Sequence, residues 1–565
     1  MVFYENKNAK LLVYTRKEQE GSYPAGLARS IHFAVSVDGS HYKPLHKNYG
    51  ILFAEGEISN DNTILPKGVK EPLVFSMSDS EFGIAAVRVN EDGSCDELSL
   101  GKLMLWKTSD FMSFDYLGLV DKESIGTEHL LEKCTEIYGE QVKGGIIEID
   151  TTLCDQICQH WNQLRQVAVN LPESVTIKSE QDLDDIRAVA VYSDGSTALK
   201  RVLWQKGQVD LTVPGTYRIN GNLYDRKYPF PLANGYGDPV IFQWDGKWHF
   251  LGTNDNLDDI GLYVREADTI EGLFEEGVEE HLILGVDEEK GFVQTFWAPE
   301  FHIIGGWPYI LFAVGGKVWG PQCYLMKLKN GGRIIEADGW ETPVKILRQN
   351  GRPLAEDGIT LDMTYLLAGG NSYMVWSYRQ YIGTPKDTGS MLYIARVNEE
   401  KPWQLAGEPV LLSRPLFGWE NVNGTINNEG PHGFVHNGKV YLAYSGGDAC
   451  GYTYAVGLLT ADETQDLTDI AVWEKSGTPI LSFYSVEGVY GPGHNSFFVD
   501  DDGNLMIAYH GETSIESRLR CDGIHRVHFD IHGEPVFDMS AERDIAPALC
   551  AVSMQITVQK IDSLG

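Results

Sequence analysis

Residues 428–444 read NEGPHGFVHNGKVYLAY. A carboxylate, Glu429, stands at the start of an apolar run (Gly433, Phe434, Val435), Asn437 and Gly438 reverse the chain, and Lys439 to Tyr444 run back. Asn-Gly between two such runs is the strongest short-range signal for a β-hairpin. The same unit occurs four more times. Asp238 and Pro239 precede Val240–Phe242, an Asp245-Gly246 turn and Lys247–Leu251; Trp297 to Glu300 precede Phe301–Ile304, a Gly305-Gly306 turn and Tyr309–Phe312. Leu361 and Asp362 precede Tyr365–Ala368, a turn at Gly369 to Asn371 and Tyr373–Trp376; Gly491 to Asn495 precede Phe497–Val499, an Asp502-Gly503 turn and Leu505–Tyr509.

The anchors Asp238, Glu300, Asp362, Glu429 and His494 follow one another at intervals of 62 to 67 residues. All-β units at a fixed period read as a propeller, here of five blades. The period exceeds the roughly 40–50 residues of common blades, so each blade carries long loops that wall a pocket. Equivalent positions in the blades lie on a ring about the axis, which brings Asp238, Glu300, Asp362, Glu429 and His494 face to face. Like charges gathered on one axis cost stability and persist mainly where function needs them.

Gly237-Asp238-Pro239, the segment from Trp297 to Glu300, the Asp362 strand, Asn428 to Pro431 and Gly491 to Phe497 together resemble the blade starts of glycoside hydrolase family 43. These are five-bladed propeller enzymes acting on arabinose- and xylose-containing glycans, and the resemblance covers residues 226–545. It implies Asp238 as general base, Glu429 as general acid, and Asp362 as the residue that orients the acid and tunes its pKa. It implies inversion at the anomeric carbon and an oligosaccharide substrate. It further implies sugar contacts from Phe296 and Trp297, a sugar contact or a blade-bracing role for Glu300, and a cation near the acid from the last blade, where Arg518, Arg520 and Arg526 all lie and Arg526 is assigned to the substrate without the motif choosing among them. His494 is the implied metal-site residue, for a structural Ca2+ on the axis. Hydrolysis itself needs two carboxylates, one to protonate the leaving oxygen and one to act from the opposite face of the sugar. The blade-four run 428–459 and the blade-five run 488–497 look most like the arabinofuranosidase branch, so an exo-acting α-L-arabinofuranosidase is expected. β-Xylosidase and exo-galactanase are the alternatives within the family, and a non-catalytic glycan-binding propeller is the alternative outside it.

The 565-residue chain has room for several domains. Its net charge of −34 argues against nucleic acid and anionic membrane surfaces as partners. Met1–Lys10 shows no leader pattern, and eight scattered cysteines suggest no disulfide framework, so a reducing, cytoplasmic setting is expected. Cys154, Cys158 and His160 form half a metal motif whose second half is missing. Residues 1–138 read as a small propeller-like β domain, with Lys70-Glu71-Pro72 as a degenerate blade start. Ile157, Trp161 and Leu164 predict a helix over 155–166. Within a linker-and-module region at 139–225, Val175 to Gly221 resembles an immunoglobulin-like β-sandwich. Residues 546–565 end in a strand, Ala551–Val558, that returns to a neighbouring domain. The expected whole is all-β: a five-bladed propeller with two appended β domains, homo-oligomerisation being left open.

Overall fold

The computed structural model describes residues 8–126, 130–210, 212–224 and 228–559, without the side chains of Gln208 and Asn423. The domain boundary expected at 225–226 and the first seven residues lie outside that set. The described chain is almost wholly β, and five antiparallel sheets follow one another as blades of a propeller. Blade one is Tyr236–Trp244, Lys247–Asn254, Leu262–Ala267 and His281–Leu284; blade two is Gln294–Ile304, Trp307–Gly315, Gln322–Lys327 and Val344–Lys345. Blade three is Ile359–Ala368, Asn371–Arg379, Met391–Arg396 and Val410–Ser413; blade four is Asn428–His436, Lys439–Gly446, Ala455–Asp462 and Glu474–Lys475. Blade five has three strands, Tyr490–Val499, Leu505–Glu512 and Cys521–Arg526. Its missing edge is supplied from before blade one: Leu232 N–H bonds Asp522 O, Asp522 N–H bonds Ala233 O, and Gly235 N–H bonds Arg520 O.

In the first four blades the inner hairpin closes over two residues that both hold positive φ: Asp245-Gly246, Gly305-Gly306, Gly369-Gly370 and Asn437-Gly438. That is the type I′ geometry whose twist matches the flanking strands. Hydrophobic clusters lie between neighbouring blades. Val240, Phe242 and Leu251 of blade one meet Ile310, Phe312 and Met326 of blade two; Leu311 and Leu325 of blade two meet Tyr365, Met374 and Trp376 of blade three. Each such side chain contributes about 1.5–3 kcal/mol on burial.

A bulge interrupts the inner strand of these blades just before its apolar run. Pairing with the second strand skips between Gly237 and Val240, Trp297 and Glu300, Leu361 and Thr364, and Glu429 and His432. The first residue in each gap has positive φ: Asp238 (57°), Ala298 (46°), Asp362 (53°) and Gly430 (56°), with His494 (40°) in blade five. A bulge bends the strand and re-aims its side chains. The equivalent positions are therefore Asp238, Ala298, Asp362, Gly430 and His494. This corrects the single ring expected from sequence, because Glu429 stands one residue before the bulge position and Glu300 two residues beyond it.

By contact the chain divides into two compact units, residues 1–162, 230–498 and 508–523, and residues 163–229, 499–507 and 524–565. In the first unit, Asn8–Tyr14 pairs with Glu140–Asp150, which carries the N-terminal β domain past the expected boundary at 138. Its other sheet, Lys67–Ser76, Phe82–Asn90, Lys102–Thr108 and Asp115–Asp121, is a four-stranded meander with the same bulge between Lys70 and Leu73 and positive φ at Glu71. Glu71 thus holds the backbone position of Asp238 and Asp362, but its side chain is exposed. The helix runs over Thr151–Trp161, earlier than expected, because the Asp150 carboxylate caps it by accepting from Leu153 N–H. This domain packs on the connections between blades three, four and five: Gly56 N–H bonds Leu416 O, Thr478 Oγ1 donates to Gly50 O, and Tyr23 stacks on Tyr484.

In the second unit, Thr197–Trp204 pairs first with Arg187–Tyr192 and then with Gly215–Leu223, so one strand serves both halves of a small β module. Ala551–Val558 closes it, antiparallel to Gly215–Leu223 and parallel to Ser174–Ile177. Among the described residues all eight cysteines are free, and no helix is long and apolar enough to cross a membrane.

Candidate active site

The bulges of blades one and three and the start of blade four bring Asp238, Asp362 and Glu429 together, with 6%, 4% and 8% of their surface exposed. Asp238 is held from every side. Arg520 Nη1 donates to its Oδ1 at 3.0 Å, His494 Nδ1 lies 3.1 Å from the same oxygen, and Thr253 Oγ1 donates to Oδ2. The Asp238 N–H donates to His510 Nδ1 at 3.1 Å while His510 Nε2 donates to Ala449 O at 2.9 Å, which sets the Nε2–H tautomer. Thr253 Oγ1 also accepts from Ala298 N–H, tying blade one to blade two. Burial alone would raise the Asp238 pKa; the charges of Arg520 and His494 outweigh it and hold the carboxylate well below its usual range. Arg520 is in turn bound through Nε to Asp255 Oδ2 at 2.9 Å.

Asp362 and Glu429 are shifted the other way. Burial pushes Asp362 up to about 7, with the charges of Glu429 and Asp238 adding to it against His494 and the Gly430 N–H. Burial also pushes Glu429 up to about 7, against hydrogen bonds from Tyr454 and Ser390 and the charge of Arg379. The leading cause is therefore desolvation in both. Asp362 Oδ2 accepts from Ser377 Oγ at 3.0 Å and from Gly430 N–H at 3.1 Å, whereas Glu429 Oε1 accepts from Tyr454 at 3.0 Å. The two carboxyls titrate as a pair near neutrality, so one proton is retained between them there. The Gly430 N–H belongs to the peptide directly after Glu429, so Asp362 also fixes the acid's backbone.

His494 lies among these acids. Its N–H donates to Ser445 Oγ at 2.7 Å, and its ring lies so close to Gly430 that a Cβ there would approach within 2.9 Å. Gly430, at positive φ and against that ring, is a position that only glycine fills without displacement.

The other sequence candidates lie elsewhere. Phe296 is fully buried in the core between blades one and two and presents no face to a sugar. Trp297 is half-buried, its Nε1 donating to Asp259 Oδ2 at 2.7 Å. Glu300, 3% exposed, faces His302 Nε2 at 2.6 Å and not the three acids, because it sits beyond the bulge. Arg526 is engaged by Asp544 and Tyr192; the arginine beside the base is Arg520, which sequence could not single out from its neighbours. Thr253, Ser377, Tyr454 and His510 are reached only through the strand pairing, and no sequence signal marks them.

The Ca2+ expected at His494 finds a poor set of protein ligands. Calcium takes six to eight oxygens, and the nearest carboxylate oxygen, Asp238 Oδ1, is already committed to Arg520. Among the described residues, the donors that gather within 4.8 Å of one another are Glu300, His302 and His432, without His494.

A family model described as glycosyl hydrolases family 43 matches residues 228–533. A Streptomyces avermitilis protein named extracellular exo-α-(1→5)-L-arabinofuranosidase is 31% identical over 329 residues, 56% of this chain and 64% of that protein. A Streptomyces chartreusis protein of the same name is 30% identical over 344 residues, 60% of this chain and 95% of the relative. α-L-Arabinofuranosidase B of Pyricularia oryzae is 31% identical, covering 55% of this chain and 58% of its own length. The chain thus spans less than two thirds of the Streptomyces avermitilis and Pyricularia proteins. The crystal structure of an α-L-arabinofuranosidase from Lactobacillus brevis aligns with 55% of this chain and 96% of its own at 28% identity, with a TM-score of 0.48.

Proposed function

Because the chain belongs to the glycosyl hydrolases of family 43, we propose that it is an inverting, exo-acting α-L-arabinofuranosidase that releases arabinose from oligosaccharides. One observation carries this: among neighbouring buried acids, Asp238 is held ionised while burial pushes Glu429 up toward neutral pH. Two carboxylates whose environments push their pKa values apart mark a base and an acid. Asp238 draws a proton from a water as that water attacks the anomeric carbon, and Glu429 delivers its proton to the departing glycosidic oxygen from the opposite face. Such proton transfers contribute roughly 10²–10⁴ each to rate. Asp362 keeps the acid's peptide in place, and burial together with the charge of Asp238 holds the proton on Glu429.

The low exposure of the three acids supports a narrow pocket for one terminal sugar over an open groove. The names of the relatives support arabinofuranose as that sugar. A cytoplasmic location is supported by the free cysteines, although two relatives are named extracellular; fractionation of the native host, with the chain found outside the cell, would overturn it.

The activity is tested with nitrophenyl α-L-arabinofuranoside, β-D-xyloside, β-D-galactoside and α-L-arabinopyranoside, alongside Glu429→Ala and Asp238→Asn. Cleavage of the arabinofuranoside alone, lost in Asp238→Asn, is expected, and proton NMR of the first-formed sugar should show inverted configuration. Preferred cleavage of the xyloside or galactoside would move the substrate to that sugar. Binding without cleavage of either nitrophenyl glycosides or arabino-oligosaccharides would leave a glycan-binding propeller.

A further inference from the structure

Beyond the bulge, the inner strands of blades two and four place a second set of ionisable side chains that hydrolysis does not use. Glu300 and His302, two residues apart on one strand, share a face, and His432 approaches from blade four. Glu300 Oε2 lies 2.6 Å from His302 Nε2 and 3.9 Å from His432 Nε2, and the side chains are only 4%, 11% and 11% exposed. The rings of His302 and His432 stack at 5.8 Å between centroids. Thr364 Oγ1, from blade three, stands 3.3 Å from His302 Nε2.

A hydrogen-bonded Glu300–His302 pair accounts for only two of the three. His432 is buried, its Nδ1 meets no hydrogen-bond partner, and its Nε2 is too far from Glu300 for a hydrogen bond. An ion between the rings and the carboxylate would give that Nε2 a partner.

We infer that Glu300, His302 and His432 form a binding site for one divalent transition-metal ion of the Zn2+ class, joining blades two and four. Ligand bonds of about 2.0–2.2 Å place donors about 3.3 Å apart around a tetrahedral ion, and the observed 2.6 Å and 3.9 Å lie on either side of that, within small side-chain rotations. Two imidazoles and one carboxylate suit zinc, cobalt or nickel; calcium would find too few oxygens. Thr364 Oγ1 or a water completes the set. The buried position makes the ion structural.

The test uses the full chain stripped with chelator. Titration with Zn2+ is expected to show uptake of one equivalent at micromolar affinity or better and a higher melting temperature, and Co2+ should give the visible bands of a four-coordinate centre. His432→Gln should weaken uptake at least tenfold, while His494→Gln and Cys158→Ser leave it intact. Absence of stoichiometric uptake by the wild-type chain overturns the inference whether or not any variant folds. Uptake that survives in His432→Gln but fails in Cys158→Ser would assign the metal to the Cys154–Cys158 pair and overturn it as well.

Discussion

Replacing Tyr454 by Phe removes one hydroxyl from the pocket and tests how the acid is tuned. Tyr454 is fully buried, stacks on His510 at 5.5 Å and donates to Glu429 Oε1 at 3.0 Å. Phe fills the same space, and Ser390 still reaches Glu429, so the carboxyl group is not stripped of partners. A hydrogen bond to a charged group contributes about 1.5–3 kcal/mol, and about 1.4 kcal/mol equals one pKa unit. The bond favours ionised Glu429, so its loss should raise the acid from about 7 to about 8–9. Activity on the alkaline side falls as the Asp362–Glu429 pair loses the proton that Glu429 must donate. The alkaline limb of kcat/KM should therefore move up by about one to two units, while the acid limb, set by Asp238, stays where it is. At pH 9 the variant should retain on the order of tenfold more of its own maximal activity than the wild type. An arabino-oligosaccharide is the substrate of choice, because its leaving group needs the proton. An alkaline limb unmoved or shifted downward, with fold and KM preserved, would refute either the tuning role of Tyr454 or the assignment of Glu429 as proton donor.

Glu512 is fully buried, neither of its carboxylate oxygens meets a hydrogen-bond partner, and burial pushes its pKa up to about 8. The folded state then holds a proton that the unfolded chain has already lost, so stability falls as pH rises from about 4.5 to about 8. Glu512→Gln should match the wild type near pH 5 and exceed it by about 2–4 kcal/mol at pH 9 by denaturant titration, an equal gap at both pH values counting against the buried charge. Gly430→Ala, at φ 56° with a new Cβ 2.9 Å from the His494 ring, should lower kcat at least tenfold with circular dichroism unchanged; wild-type kcat would show that the ring and the Asp362 contact are not needed. Phe296→Ala should cost about 3–5 kcal/mol of stability and leave KM where it was, and a large rise in KM in the folded variant would return Phe296 to the sugar.

The propeller was legible because its signals are local. Asn437-Gly438 and its counterparts demand a turn that only a few residue pairs can make, and the apolar runs on either side fix the strands that the turn joins. The bulge was not legible, since it shifts register without a residue type of its own: Asp238, Ala298, Asp362, Gly430 and His494 share only a backbone conformation. Glu300 lies two residues beyond its blade's bulge position, paired again in the ladder and turned to His302, and a spacing count from sequence cannot see that offset. Arg520 and Arg526 could not be told apart for a different reason. They lie at the two ends of one short region, 520 to 526, and only the fold decides that one meets Asp238 and the other Asp544. The return of Ala551–Val558 to the β module likewise depends on contacts more than 300 residues apart.

Asp238 and Asp362 occupy the same backbone position in two blades, at φ 57° and 53°, and both are buried, yet their pKa values move in opposite directions. Nothing in the inner strands themselves accounts for this. His494 acts on both, and the largest charge that Asp238 has and Asp362 lacks is Arg520, which reaches Asp238 from the last blade and is steadied by Asp255, while Asp362 accepts from a hydroxyl and a peptide N–H. A repeated unit thus becomes a base in one copy and the keeper of an acid in another through what the neighbouring blades bring to it. It follows that the closure of the ring, in which residues 232–235 pair with 520–522, is part of the chemistry as well as of the fold. The pairing that completes blade five fixes the strand start from which Arg520 reaches Asp238, and a loosening there would let the base take up its proton before any catalytic side chain had been changed.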